Sequence, residues 1–104
     1  MSRGANPWRG EASLTVGGEV LVLRPSFAAL VAAEEELGPL FALVERAADG
    51  RMTLSEMATL FDHLAIDRPA AIDRARIGEA LVELGLAKTS PVLRLVLGQI
   101  LQGR

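Results

Sequence analysis

Between Ala12 and Leu37 the pattern of apolar and polar positions changes period once, and that change sets the plan for the rest of the chain. Leu14 and Val16 alternate with Ser13 and Thr15, Gly17-Gly18 follows, and Val20-Leu21-Val22-Leu23 resumes an extended run. Period-two alternation on either side of a glycine pair that tolerates positive φ predicts a β-hairpin. Arg24-Pro25 ends its second strand, because proline fixes its own φ and holds the residue before it extended. Ser26 then stands where it can cap a helix opening at Phe27.

From Pro25 onward the pattern is helical. The first helix is expected over about Ser26 to Leu37, with Phe27, Leu30, Val31 and Leu37 as its inward stripe. Gly38-Pro39 separates it from a second, about Leu40 to Ala48, in which Leu40, Phe41 and Val44 are expected to face the core and Asp49-Gly50 supplies the stop. Thr53 and Glu56 have capping-box spacing at the head of a third helix. Its inward positions are Met57, Leu60, Phe61 and Leu64, with Glu56, Thr59, Asp62 and His63 on the other side.

Asp67-Arg68-Pro69 breaks the pattern before a fourth helix, about Asp73 to Leu84, which places Ile77, Ala80, Leu81 and Leu84 inward. Gly85 is its stop, with Leu86 as the apolar contact that accompanies such a cap. Ser90-Pro91 reads as a cap followed by proline at the first helical position of a fifth helix. Its run from Val92 to Leu101 carries more apolar surface than one stripe requires. That helix is expected either to occupy the centre of the core or to lend one face to a homo-oligomer. The fold class is therefore α+β: an N-terminal two-stranded hairpin packed on a bundle of about five short helices. A hairpin alone is marginal in water and needs that cover.

Residues 1–10 read as a flexible arm preceding a single domain over 11–104. Trp8 is the arm's one large side chain, expected to fold over the edge of the core or to dock a partner. Half of the 104 residues are apolar but only three phenylalanines and one tryptophan are aromatic, so Leu, Val, Ile and Ala must fill the core. The net charge of −2 comes with no basic stripe, which leaves nucleic-acid binding unsupported. No run approaches the length of a bilayer span, and the first residues lack a signal-peptide hydrophobic region, so neither membrane association nor export is expected.

Candidate chemistry is sparse. The absence of cysteine removes thiolate catalysis and cysteine-based metal sites, and is compatible with a reducing cytoplasm. The single histidine, His63, is expected to be solvated or locally paired, so a histidine-dependent nucleophile has no recognisable partners. Glu45, Asp49, Gly50, Thr53 and Glu56 reproduce part of an EF-hand spacing, but Ala47 cannot ligate at the third position, and a helix stop followed by a capping box yields the same letters. The expectation is a non-enzymatic chain without a cofactor. Glu34-Glu35-Glu36 lies unfavourably near a helix's negative end and reads as a solvated exit or as an acidic contact for a basic partner.

The segment GEASLTVGGEVLVLRPSFAALVAAEEELG, followed by FALVERAADGRMTLSEMATLF and IGEALVELGL, resembles a small family of gene transfer agent and phage tail proteins described as tail tube or tail assembly proteins. The resemblance covers about Gly10 to Leu101 and rests on the order and spacing of these stretches. It implies a tail assembly chaperone, acting in the cytoplasm, that binds the largely helical tape-measure protein and engages the major tail protein during tube assembly. The alternative it leaves open is a minor structural adaptor retained in the virion or gene transfer agent particle. A main tube subunit is disfavoured, because such subunits resemble substantial β-sandwiches. Leu93, Leu97 and Ile100 are the leading candidate contacts, with Glu34, Glu35 and Trp8 secondary; Phe27 and Leu30 are assigned to the core.

Overall fold

In the computed structural model, which describes residues 11–102, the hairpin forms as its alternation dictates. β1 (Ala12–Val16) and β2 (Glu19–Leu23) pair antiparallel with Leu14 opposite Leu21 and Val16 opposite Glu19. Gly17 and Gly18 make the two-residue turn with φ of 57° and 84°, values a side chain would strain. The register places Ala12, Leu14, Val16, Leu21 and Leu23 on one buried face. That face is the floor of the core.

Five helices cover it: α1 (Phe27–Leu37), α2 (Leu40–Ala48), α3 (Leu54–Leu64), α4 (Arg74–Leu84) and α5 (Leu86–Gln102). Two caps fall where the sequence puts them: Ser26 Oγ accepts from the Ala29 amide, and Thr53 with Glu56 completes a reciprocal capping box. Asp73 also caps α4, its Oδ1 accepting from the Arg76 amide. Gly38 and Gly85, with φ of 83° and 89°, close α1 and α4.

The central element is α3, which packs between α1 and α4 and also touches β2. Leu60, Phe61 and Leu64 are fully enclosed, and Thr59, expected to face water, is buried beside them. Wrapped on two sides, α3 has little outer face for Thr59 to occupy. The hairpin is fastened to the same helix, since the Arg24 amide donates to the Leu64 carbonyl at 2.9 Å. Arg24 also holds Glu11 at 3.3 Å and Asp67 at 2.6 Å, tying the head of β1 to the loop after α3.

Three further expectations are corrected. On α1 the buried residues are Ala29 and Ala33, while Phe27 is 85% exposed and Leu30 only partly covered. Small residues let α1 lie close to α3, which turns the bulky stripe outward. On α2 the buried residue is Leu43, and Phe41 is 78% exposed.

The third correction concerns α5. It begins at Leu86, so Pro91 lies inside the helix instead of opening it. Gly85 ends α4 and its carbonyl accepts the Thr89 amide at 3.1 Å, so a single glycine joins the two helices. Thr89 and Ser90 do not cap; their hydroxyls donate back to the Gly85 and Leu86 carbonyls at 2.9 and 3.1 Å. Leu86, expected against the α4 cap, is 60% exposed.

Candidate functional site

Turning Phe27 and Phe41 outward opens an apolar groove on the surface. Phe27, Leu30, Val31 and Glu34 of α1 form one wall of an open groove, Leu40, Phe41 and Val44 of α2 another, and Ile100 with Leu101 of α5 closes its end. Its volume is about 280 Å³. The residues recur along α1 at 27, 30, 31 and 34 and along α2 at 40, 41 and 44, the spacing of a single helical face in each case. Two phenylalanine rings open to water beside aliphatic neighbours make an apolar patch, which is more informative than an isolated exposed leucine.

Glu34 has a structural part here as well. Its Oε2 accepts the Leu40 amide at 3.0 Å, across the bend at Gly38-Pro39, so a carboxylate from the end of α1 caps the positive end of α2. Pro39, at the N-cap of α2, has no side chain able to do this. The acidic run is thus divided. Glu34 serves α2, Glu35 is exposed, and Glu36 turns the other way.

Glu36 enters an ion cluster that clamps three helices. Its Oε1 lies 2.6 Å from His63 Nε2 on α3 and 2.6 Å from Arg74 Nη2 on α4, while Oε2 accepts from Arg74 Nη1 at 2.8 Å. Arg74 also donates to Asp62 Oδ2 at 2.9 Å, and Arg68 pairs with Asp62 Oδ1 at 2.5 Å. Hydrogen bonds from Arg74, then from His63, hold the Glu36 carboxyl down at about 2, and the same carboxylates raise Arg74 above its ordinary value. His63 is locally paired, as expected, and every charge in this cluster is matched.

Of the acidic residues with EF-hand spacing, Asp49 and Glu56 are likewise engaged, while Glu45 is exposed on α2. Asp49 pairs with Arg51 at 3.0 Å; Glu56 Oε1 accepts the Thr53 amide at 2.9 Å and Oε2 pairs with Arg46 at 2.7 Å. The Thr53 backbone bond, reinforced by Arg46, lowers the Glu56 carboxyl below its usual range. No group of three potential metal ligands gathers among the described residues.

Of the residues singled out in the sequence, Leu93 and Leu97 are buried in the chain's own core, 9% and 8% exposed. Among the α5 candidates, Ile100 alone reaches the groove, where Glu34 also sits. Trp8 lies outside the described residues. The positions that sequence reasoning missed are Phe27 and Phe41. For Phe27 the signal was present: in FAALVAAEEEL the apolar residues run round most of the helix, so the larger ones were not required inside.

A second apolar depression lies between Met52, Leu54, Met57, Leu81, Val82 and Leu86. It contains no aromatic side chain. No helix among the described residues is long and apolar enough to cross a membrane. A family model described as "Phage tail tube protein, GTA-gp10" matches residues 9–103. No curated protein and no solved structure matches the chain.

Proposed function

The chain belongs to the phage tail tube protein, GTA-gp10 family, and from this premise and the open aromatic groove we propose that it acts in tail assembly as a non-enzymatic chaperone for the tape-measure protein. Membership gives it a tail-related structural role. The single observation that carries the finer assignment is the pair of phenylalanines left exposed across α1 and α2, at 85% and 78%, when the core beneath is complete without them. Such a surface is a liability in a protein that works alone. A partner helix laid along it would hide the rings and be shielded in return, which is how a helper keeps an elongated helical protein soluble until the tube closes round it. Action during assembly would place it in the cytoplasm, with the major tail protein as a further partner.

Co-expression with the tape-measure protein of the same particle tests the proposal. A soluble complex that is lost in Phe27→Ser and Phe41→Ser variants is the expected result; no association with the unaltered chain would contradict it. The family's description as a tail tube protein favours a second reading, an adaptor retained in the particle. Finished particles separate the two. A chaperone is depleted from them and an adaptor remains at fixed stoichiometry.

A further inference from the structure

The groove's apolar floor is bordered unevenly by charge. Glu34 lies in its wall, Glu35 follows it on the exposed side of α1, and Glu45 is exposed on α2 one helical repeat after Phe41. The wall of α1 ends here without a basic residue in its last turn, so the negative end of the helix adds to the three carboxylates. Glu34 offers one oxygen to the Leu40 amide, a donor that brings no compensating positive side chain. Arg46, the basic residue of this part of α2, is drawn off to Glu56 at 2.7 Å. Among the described residues, the basic side chain of α5 closest in helical position to Leu101 is Arg94, two turns before it.

This imbalance selects among occupants. A second copy of the chain docked groove to groove would bring two acidic borders together, and like charges across an interface penalise the wrong partner. A helix carrying basic side chains beside its apolar stripe would meet opposite charge. Resting on the assembly role proposed above, we infer that the groove is built for an amphipathic partner helix whose aliphatic or aromatic stripe, at i, i+3, i+4 and i+7, is flanked by lysine or arginine on the side that meets Glu34, Glu35 and Glu45.

The test uses the full chain and two synthetic helical peptides with one leucine-phenylalanine stripe, flanked in one by lysine and in the other by glutamate. Fluorescence anisotropy should show the lysine peptide binding about tenfold more tightly at low salt, with the difference shrinking as salt screens the border. The triple change Glu34→Gln, Glu35→Gln and Glu45→Gln, which retains the oxygen that caps α2, should remove the preference, with circular dichroism confirming the fold. Equal affinity for the two peptides, a preference for the glutamate peptide, or no binding of either would overturn the inference. So would a groove occupied by self-association, seen as a dimer in sedimentation that Phe41→Ser dissolves. Failure here is distinguishable from failure of the assembly role. Tape-measure binding with no charge preference defeats the basic flank alone; a charge preference without tape-measure binding defeats the identity of the partner alone.

Discussion

Phe27, at the first position of α1, and Phe41, at the second position of α2, line the same groove, and both rings stand open to solvent. The third phenylalanine, Phe61, is fully buried in α3. One phenylalanine therefore anchors the core, and the other two are left over for a surface. Removing them should separate binding from folding. Phe27→Ser and Phe41→Ser are expected to shift stability by no more than about 0.5 kcal/mol, as surface substitutions do, while abolishing capture of the tape-measure protein. Thermal melts and co-purification read the two effects independently.

Leu43 and Leu97 make the opposite prediction. Leu43 is fully buried and Leu97 is 8% exposed, so Leu→Ala at either site should cost about 2–5 kcal/mol through lost burial and the cavity left behind. Urea denaturation measures this directly. A change at Leu97 that impaired binding without lowering stability would place that residue on the partner face after all.

Pro91 occupies the sixth position of α5 and has no amide proton to give the Ala87 carbonyl. Pro91→Ala should restore that bond and stabilise the chain by roughly 2 kcal/mol, once about 1 kcal/mol from the freer unfolded chain offsets about 3 kcal/mol regained in the helix. A rise in Tm is the expected readout. An unchanged or lowered Tm would mean the helix bends round the proline at no cost.

The Glu36 cluster makes stability depend on acid. With Arg74 and then His63 holding its carboxyl at about 2 against an ordinary 4.5, Glu36 contributes stability that is complete above pH 4.5 and is lost as pH falls through about 2. The sign is fixed by the depressed value: the unfolded chain takes up the proton first. Glu36→Gln should remove part of the acid-induced loss in Tm over that interval. Coincident acid profiles for the two proteins would show that the cluster does not couple α1 to α3 and α4.

Thr53→Ala removes one half of the capping box and should cost about 1 kcal/mol. Glu56→Gln preserves an acceptor for the Thr53 amide but weakens the pair with Arg46. It should cost less.

What could be read in the sequence was whatever local chemistry determines. The hairpin, its glycine turn, the Ser26 and Thr53 caps and the Gly38 and Gly85 stops follow from residues within a few positions of one another. What could not be read depended on which helix ends up enclosed. Because α3 is wrapped by α1 and α4, Thr59 is buried; because α1 approaches α3 through Ala29 and Ala33, Phe27 is not. Periodicity ranks faces by side-chain size, whereas close helix packing here favours the smaller face. The same blindness misplaced the candidate contacts on Leu93 and Leu97 and hid the groove. In α5, Ser90-Pro91 carries the letters of a helix start, but the helix begins at Leu86, five residues before Pro91, and hydroxyl back-bonding absorbs both Thr89 and Ser90. The division of labour in Glu34-Glu35-Glu36 also required three dimensions, since its partners lie on α2, α3 and α4.

The central claim, that the surface between α1, α2 and the end of α5 receives the tape-measure protein, is tested most directly by a methyl NMR titration of the labelled chain with that protein. The account predicts shifts concentrated at Leu30, Val31, Val44, Ile100 and Leu101, with Leu21 and Leu60 in the core unmoved. Shifts concentrated at Leu54, Val82 and Leu86, or a spectrum that does not change on addition of the partner, would contradict it.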